Sequence, residues 1–417
     1  MSNGFLIENA SQILQLPPSG ACPSPEAELL HILDDGAVIT NGHEIVWVGP
    51  RSEVPQTLRE STTRLDAKRG VVMPGWVDSH THLVFAGSRV EEFSLRCSGV
   101  TYEEIAKRGG GIVVTSRAVR SASEEELVLT ALPRLRRMLD SGITTVEIKS
   151  GYGLDTASEL KMLRVVRTLS ELSPQNLVPT FLGAHTVPVE LRHKRSLYVA
   201  EIINEMLPEI SALGLAEFCD VFCEKTAFDI QETELIFQKA SELGLGLRIH
   251  AEQLSNIGAS RLAAAMGACS ADHLEQINEE DILCLKRAGT VATLLPGATL
   301  FLGQNTWPPA RSLLNAGVPV ALATDCNPGS CPTENLALIA TLGCVRLGMS
   351  PAESVAAITV HAARGLNRQG KVGSLIPGAR ADIICLDMHR YENFLYYFGV
   401  NGTCGVIAGG TVVKWPS

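Results

Sequence analysis

Histidines and one aspartate are the side chains of this sequence best suited to chemistry, and that chemistry is the binding of a metal ion. Two histidines are spaced as H-x-H, at His80 and His82, and His250 and Asp325 follow much later in the chain. Alternate residues of an extended segment face the same way, so His80 and His82 can present their nitrogens together. Three neutral imidazoles and a carboxylate suit one catalytic zinc or iron ion with an open position for water.

Each of these residues also has a simpler interpretation. An H-x-H pair alone is a weak signal, because two hydrogen-bonded or solvent-facing imidazoles are more common than two ligands. A single histidine such as His250 or His273 is more often a core residue than a ligand. The choice between these interpretations depends on where the fold places the histidines.

The central part of the chain alternates short apolar strands with helical segments, which is typical of parallel βα units. Eight strands are predicted, at residues 71–78, 143–148, 177–184, 218–223, 245–249, 269–272, 290–295 and 319–324. Capping boxes at 123–126 and 156–159 predict the starts of two intervening helices. This order predicts a (β/α)8 barrel of the TIM type, with an insertion at 86–140 that contains a glycine-rich turn at 109–111.

Catalytic groups of such a barrel lie at the C-terminal ends of its strands. The predicted strand ends carry His80 and His82 (first strand), His185 (third), His250 (fifth), His273 (sixth) and Asp325 (eighth). Five of the ten histidines are therefore expected at one mouth of the barrel, which favours the metal site over scattered core residues. His80, His82, His250 and Asp325 would then be the ligands, and His273 a nearby base or acid.

Both ends of the chain predict β-hairpins. Asn41-Gly42 separates two apolar runs near the N-terminus, and Gly409-Gly410 does the same near the C-terminus. A two-stranded hairpin is not stable alone, so both ends are expected to combine. We predict a small β-sandwich domain from residues 1–70 and 367–417, with the barrel at 71–366.

The composition limits the classes of function. The chain has 417 residues, 45% of them hydrophobic, and a net charge of −10, which excludes disordered and fibrous proteins and argues against nucleic-acid binding. No apolar stretch is long enough for a membrane span, and the first residues do not resemble a secretory signal. Eleven cysteines without a C-x-x-C pair indicate neither a disulfide framework nor a thiolate zinc site. We therefore expect a small-molecule partner and a reducing, cytoplasmic location.

Longer motifs surround the candidate ligands. They are PGWVDSHTHLVFAGSR, IHAEQLSN, ADHLEQ and ALATDCNPGS. With these motifs the sequence resembles the amidohydrolase superfamily and, within it, the imidazolonepropionase family. The resemblance extends nearly end to end and includes EEFSLRCSGVTYEEIAKRGGGI, TTVEIKSGYGLD and TFLGAHTVP. The P-G before D-x-H-x-H occurs across the superfamily, whereas GGGI, KSGYGL and TDxNPGS are much narrower.

The resemblance implies hydrolysis of the cyclic amide of 4-imidazolone-5-propanoate to N-formimino-L-glutamate, in histidine degradation. It implies one zinc or iron ion per subunit, held by His80, His82, His250 and Asp325. It further implies substrate contacts from Arg89, Tyr152 and His185, product contacts from Tyr152, Asn327, Gly329 and Ser330, and a homodimer.

Arg89 and Tyr152 each have a physical reason for such a contact. The planar guanidinium of Arg89 suits the propionate carboxylate of the substrate, the alternative being a surface ion pair with Glu91 or Glu92. Tyr152 lies between two glycines that let the backbone approach a ligand, the alternative being a core aromatic at a turn.

His185 and residues 327–330 also have a physical reason for the expected contact and a simpler alternative. His185 can hydrogen bond to the ring carbonyl and stabilise an oxyanion, or it can be a histidine that only supports the site. Backbone N–H groups and a hydroxyl of residues 327–330 can hold the carboxylate formed on ring opening, or the segment can be a plain turn.

The general base is open at this point. Some relatives carry a glutamate three residues after the fifth-strand histidine, where this chain has Gln253, with Glu252 one place earlier. An amide does not transfer protons as a carboxylate does, so Gln253 is expected to hydrogen bond to the ring. Asp325 with His273 is the preferred pair for proton transfer, and Glu252 is the alternative.

We predict metal-assisted hydrolysis at one ion, in which activated water attacks the ring carbonyl. Lys149 and Lys225 are expected to be salt-bridge or loop residues rather than a carboxylated bridge between two metals. Cys326 and Cys331 are expected to be buried free thiols. Two other functions compete with this prediction. One is deamination of a heterocycle or hydrolysis of another cyclic amide, which Arg89 disfavours because an uncharged substrate does not need it. The other is a noncatalytic binding protein, which the full ligand set disfavours.

Overall fold

The structure, a computed structural model, describes residues 4–18, 29–100, 104 and 109–417 of the chain. The strands before the barrel are β1 (Phe5–Glu8), β2 (Gln12–Leu14), β3 (Ile32–Leu33), β4 (Gly36–Asn41), β5 (Glu44–Pro50), β6 (Thr63–Asp66) and β7 (Val71–Pro74). The barrel strands are β8 (Trp76–Asp78), β9 (Ile143–Lys149), β10 (Asn176–Ala184), β11 (Phe218–Cys223), β12 (Gly246–Ala251), β13 (Ser270–His273), β14 (Val291–Leu294) and β15 (Val320–Leu322). The strands after it are β16 (Ile383–Leu386), β17 (Thr403–Ala408) and β18 (Thr411–Lys414).

The helices of the described residues lie mainly between the barrel strands. Up to β11 they are Gln56–Ser61, Val90–Cys97, Ile112–Ser121, Glu124–Asp140, Thr156–Leu172, Arg195–Glu201 and Leu207–Leu213, the last two joined by a π-helical turn at Ile202–Met206. After β11 they are Ile230–Glu242, Ala259–Ala265, Glu279–Ala288, Pro296–Phe301, Ala310–Ala316, Leu336–Leu347, Pro351–Ala357, Val360–Gly365 and Glu392–Tyr396. Within the described part of the chain, none of these helices has the length and hydrophobicity needed to cross a bilayer.

Strands β8 to β15 form one parallel eight-stranded sheet in chain order, which confirms the predicted barrel. The first and last of these strands are joined by side-chain and loop hydrogen bonds. The carboxylate of Asp78 accepts from the Thr324 backbone N–H at 3.0 Å and from its hydroxyl at 2.6 Å. Beyond the strands, Asp325 N–H donates to the His80 carbonyl, also at 3.0 Å. This closure brings the H-x-H segment beside Asp325.

The predicted first strand, 71–78, is wrong in one respect, because it is two strands. β7 pairs with β2 and β16 in a different sheet, and only β8 belongs to the barrel. The division falls at Pro74-Gly75, where proline has no N–H to continue a ladder. A Cβ on Gly75 would lie 2.1 Å from the Thr144 hydroxyl, so the chain can turn into the barrel only with glycine here.

The two ends of the chain form two further sheets, as predicted. One contains the N-terminal strands in the order β5-β4-β1-β6, and the other mixes both ends in the order β18-β17-β16-β7-β2-β3. Both predicted hairpin turns are present, with positive φ at Gly42, Gly409 and Gly410. Side chains of both sheets share one buried apolar cluster, which includes Ile7 and Ile383.

One of the two predicted capping boxes is confirmed and the other is wrong. Ser123 and Glu126 cap the helix Glu124–Asp140 reciprocally. The second helix is capped by Asp155, which accepts from Ser158 N–H at 2.8 Å. Glu159 is instead fully buried and accepts from the Gly151 and Leu154 N–H groups at 2.9 Å, because it folds back onto the preceding loop.

The predicted insertion is shorter than 86–140. Its last helix, Glu124–Asp140, packs against β9 and the helix Thr156–Leu172 as a barrel helix. Val90–Cys97 and Ile112–Ser121 form the inserted part, with positive φ at Gly109 and Gly111. The described residues do not include Cys22, nor positions 101–103 and 105–108 of the motif EEFSLRCSGVTYEEIAKRGGGI.

Candidate active site

Three of the four predicted ligands meet in a buried cluster at the C-terminal mouth of the barrel. One nitrogen each of His80, His82 and His250 lie within 4.8 Å of one another. The fourth, Asp325, places Oδ1 at 3.7 Å from His80 Nε2 and at 3.6 Å from His82 Nε2. The loops after β8 and β15 and the strand β12 therefore bring all four side chains together.

The hydrogen bonds of these imidazoles fit a metal ion. His80 Nδ1 lies 2.7 Å from Asp272, and His250 Nδ1 lies 2.9 Å from Asp220. The Nε2 atoms of both rings are buried and have no hydrogen-bond partner among the described residues, and the same is true of His82 Nδ1. Buried polar atoms without partners are rare and costly, and a cation would satisfy them. Burial also lowers the pKa of His80 and His82, which keeps both rings neutral, as a ligand must be.

Asp325 and His273 face the same cluster from strained backbone positions. Their φ angles are +52° and +81°, values that non-glycine residues rarely adopt. The ring of His273 lies 5.3 Å from the ring of His250, and its Nδ1 lies 3.8 Å from the Glu275 carboxylate. Burial raises the pKa of Asp325, although the imidazoles of His273 and His250 oppose the shift. A carboxylate of raised pKa is a better proton acceptor than an exposed one.

His185 and Tyr152 line the side of the cluster next to His82. The His185 ring stacks on the His82 ring at 5.1 Å, and Tyr152 lies 5.7 Å from His82 and 5.5 Å from His185. Glu159 positions Tyr152, because its carboxylate holds the loop that contains this tyrosine. The structure thus brings both predicted substrate residues to the ligands.

The protonation of His185 follows from its neighbours. Its Nδ1 lies 2.9 Å from the Gly151 carbonyl, which only accepts, so Nδ1 carries the hydrogen. Burial, assisted by His250, lowers the pKa of His185 to about 3, so the ring is neutral near pH 7. The remaining Nε2 is therefore a hydrogen-bond acceptor.

This lowered pKa predicts that the metal-free protein loses stability in acid. An unfolded histidine binds a proton below about pH 6.5, whereas folded His185 stays neutral, so the unfolded state gains protons first. Each such histidine lowers the free energy of unfolding by about 1.4 kcal/mol for every pH unit below the pKa of the unfolded residue. Urea unfolding at pH 7.5 and 5.5 should show a smaller difference in free energy for His185→Gln than for the parent protein. The exposed His193→Gln is the control, and an unchanged difference in His185→Gln would refute this account.

The Arg89 side chain is only 8% exposed and pairs with Glu92, a partner that the alternative interpretation named, but the pair does not lie on the surface as that interpretation expected. Its Nε and Nη2 each lie 2.8 Å from Glu92 Oε2, and Glu92 Oε1 accepts from the Gly111 N–H. Its guanidinium also packs against Gly329, where an added Cβ would lie 2.0 Å from Nη1. Glu92 therefore fixes the Arg89 guanidinium beside the loop that follows β15. The pair borders a cavity of about 440 Å³.

Replacing Gly329 with alanine is expected to raise KM by about 10-fold with little change in kcat, because the new Cβ displaces Arg89. Steady-state kinetics measure both constants. Gly365→Ala is the matched control, since no heavy atom lies within 3.6 Å of its added Cβ. An unchanged KM in Gly329→Ala would show that the position of Arg89 does not limit binding.

The segment 327–330 is a tight turn that its own asparagine closes. Asn327 Oδ1 accepts from the Gly329 and Ser330 N–H groups at 2.8 Å, and Asn327 Nδ2 donates to the Asp325 carbonyl at 2.7 Å. Ser330 Oγ lies 3.4 Å from Asp325 Oδ2. The two backbone N–H groups are therefore engaged with Asn327, and the turn holds Asp325 in place.

Glu252 and Gln253 differ in their surroundings. The Glu252 carboxylate is fully buried and accepts from the N–H groups of Gly258, Ala259 and Ser260, at the start of a helix. Its oxygens are thus engaged in capping that helix. Gln253, the next residue, is partly buried in the loop after β12.

Sequence reasoning missed the charged residues that lie beneath the ligands. Glu147, Asp220, Arg248 and Asp272 are fully buried on neighbouring barrel strands, together with Lys149, which was predicted to form a salt bridge. The sequence did contain a signal for them, because charged or histidine side chains occupy alternate positions of the predicted strands TTVEIK and GLRIHA and therefore face the same way. Lys225, the other lysine considered, lies exposed in the loop after β11.

The comparison with protein-family models decides the family. Residues 71–413 match the amidohydrolase family model. The chain belongs to the amidohydrolase family. Among curated amidohydrolase relatives, the imidazolonepropionase of Alkaliphilus metalliredigens is 42% identical over 98% of this chain and 97% of its own length. That of Geobacillus kaustophilus is 44% identical over the same shares. The chain thus falls among the imidazolonepropionases of this family.

Solved structures of other proteins share the fold. Escherichia coli guanine deaminase has a TM-score of 0.74 at 14% identity and covers 100% of both chains. Aspergillus niger ochratoxinase has a TM-score of 0.71 at 19% identity and covers 100% of this chain and 96% of its own. At these identities the likeness extends to the architecture alone.

Proposed function

We propose that the protein hydrolyses the cyclic amide of 4-imidazolone-5-propanoate to N-formimino-L-glutamate, a step of histidine degradation. The observation that carries the proposal is the convergence of three buried imidazoles with unpaired nitrogens on Asp325, in a chain similar over nearly its full length to imidazolonepropionases. A bound divalent ion supplies Lewis acidity and makes water a nucleophile near neutral pH. His80, His82, His250 and Asp325 are the residues that would hold it.

Arg89 and Tyr152 bind the substrate in this proposal. The propionate is an anion, and the Arg89 guanidinium, fixed by Glu92, offers charge-assisted hydrogen bonds to it. Tyr152 packs beside His82 and His185 and orients the ring. Gln253, from the loop after β12, hydrogen bonds to a polar edge of the ring. Its amide suits this role because it both donates and accepts.

Asp325 and His273 move the protons. Asp325 accepts the proton of the attacking water, and His273 helps to pass it to the ring nitrogen that leaves. Glu252 is less suited, because three backbone N–H groups already engage its carboxylate. We assign Glu252 a capping role, and this engagement of its carboxylate favours Asp325 as the base.

We propose a task for His185 that differs from the one expected from sequence. Its neutral ring offers an acceptor at Nε2, so it cannot donate there to an oxyanion while Nδ1–H bonds to Gly151. We propose that His185 accepts a hydrogen bond from an N–H of the imidazolone ring. Asn327, Gly329 and Ser330 form the wall beside Asp325 against which the new carboxylate appears.

The proposal includes zinc or iron as the ion, a homodimer and a cytoplasmic location. The ligand set suits either metal. The ten described cysteines are free thiols, Cys326 and Cys331 among them, which suits a reducing compartment. Metal analysis of the purified protein and light scattering test the first two points.

The direct test is incubation of purified metal-loaded protein with 4-imidazolone-5-propanoate, following formation of N-formimino-L-glutamate. An uncharged heterocycle of similar size is the competing substrate. Faster turnover of the uncharged compound would favour a deaminase or another cyclic amidase, and no turnover of either would favour a binding protein.

A further inference from the structure

Five charged side chains fill the barrel interior beneath the candidate ligands. They are Glu147, Lys149, Asp220, Arg248 and Asp272, and all are fully buried. Charges are costly to bury, so such a set is retained only where the groups pair closely. None of the five is a candidate ligand or touches the substrate in the function proposed above.

Lys149 is the centre of this cluster. Its Nζ lies 2.8 Å from Glu147 Oε1 and 2.8 Å from Asp220 Oδ2, and it is 4.0 Å from Asp272 Oδ2. Arg248 provides the second cation, with Nη2 at 3.0 Å from Asp272 Oδ2. One ammonium group thus holds together three carboxylates that come from three different strands.

Each of these carboxylates also accepts one hydrogen bond from a candidate ligand or from the backbone next to one. Asp220 Oδ1 accepts from His250 Nδ1 at 2.9 Å, and Asp272 Oδ2 accepts from His80 Nδ1 at 2.7 Å. Glu147 Oε2 accepts from the backbone N–H of Thr81, the residue between His80 and His82, at 3.1 Å. The orientation of all three imidazoles is therefore linked to Lys149.

We propose that Lys149 is a positioning residue that sets the geometry of the metal site through these three carboxylates. It turns the rings of His80 and His250 so that their Nε2 atoms converge, and it fixes the backbone that carries His82. The inference rests on the metal site of the proposed function. Without the ammonium, three carboxylates face one another around Arg248 alone, and their repulsion turns the rings away from the common point.

Lys149→Met tests the proposal, since it keeps an unbranched side chain only one atom shorter and removes the charge. Metal affinity is measured without substrate, by chelator competition for Zn²⁺ and by titration with Co²⁺. We expect the affinity for both ions to fall about 10- to 100-fold, as for other residues that orient metal-binding histidines. The visible spectrum of the Co²⁺ protein should also change, which a purely structural role would not produce.

Lys161→Met is the matched control. Lys161 is likewise held by its ammonium group, which donates hydrogen bonds to the carbonyls of Val119, Arg120 and Ala122, but on the outside of the barrel. It should lower stability and leave both the affinity and the Co²⁺ spectrum unchanged. Lys149→Met with unchanged affinity and spectrum would overturn the proposal.

Asp220→Asn keeps the test decisive if Lys149→Met does not fold. It weakens the link from Lys149 to His250 and leaves Glu147 and Asp272 unchanged, because an amide N–H would face either the ammonium group or the His250 ring. We expect about 10-fold weaker Co²⁺ binding, and unchanged binding would contradict the proposal. These binding measurements contain no substrate, so they are independent of the proposed activity. A protein that binds metal but does not hydrolyse imidazolonepropionate would refute the proposed function and leave the role of Lys149 unaffected.

Discussion

Asp325→Asn is expected to lower kcat by about 10⁴-fold and to weaken metal binding, the largest single effect at this site. The amide removes the group that accepts the proton of water, and general-base catalysis contributes about 10²- to 10⁴-fold. It also removes a negative charge that lies 3.7 Å from His80 Nε2 and 3.6 Å from His82 Nε2. Product formation and bound metal per subunit are measured on the same preparation.

Asp382→Asn is the control for this variant. Asp382 is equally buried and accepts from the Gly409 N–H at 2.8 Å, but it directly precedes β16, in the part of the molecule formed by the two chain ends. This control should lower stability and leave kcat and metal content nearly unchanged. If Asp325→Asn kept more than a tenth of the parent kcat with its metal bound, proton transfer would have to be assigned elsewhere.

Arg89→Met is expected to raise KM by about 10- to 100-fold with a small change in kcat. The propionate stays distant from the reacting carbonyl, so Arg89 contributes to binding in the ground and transition states alike. Hydrogen bonds to charged groups contribute about 1.5 to 3 kcal/mol, which corresponds to this change in KM. Steady-state kinetics with the substrate and with an analogue lacking the propionate measure the effect.

The analogue makes this test specific. The parent protein should bind it poorly, and Arg89→Met should bind it no worse than the parent does. Arg164→Met is the control, because Arg164 pairs with Glu124 at 2.6 Å on the surface, away from the ligands. A similar loss for substrate and analogue in Arg89→Met would mean that Arg89 supports the loop and does not contact the carboxylate.

Sequence predicted the barrel and the meeting of three histidines at its mouth because both depend on local patterns. The ends of apolar strands place His80, His82 and His250 at one mouth whatever the exact strand boundaries. The error at 71–78 came from the same pattern, since an apolar run does not reveal that Pro74-Gly75 divides it between two sheets.

The partners of the ligands could not be predicted in the same way. Alternation along a strand shows that Asp220 and Lys149 face inward, but not that they meet across 71 residues of sequence. The pairing of Asp272 with His80 spans 192 residues and depends on the curvature of the closed sheet. Likewise, only the folded loop shows that Glu159 supports Tyr152 instead of capping its own helix.

The mixed sheet β18-β17-β16-β7-β2-β3 has a consequence for biosynthesis. Strand β7 receives β16 as its neighbour only after a ribosome has translated residue 386, more than 300 residues later. Until then one edge of β7 keeps its N–H and C=O groups unpaired, and such edges favour association with other nascent chains. The barrel strands, by contrast, pair in the order in which they are translated. The mixed sheet, whose strands β2 and β3 are translated before the barrel, is therefore completed only after it.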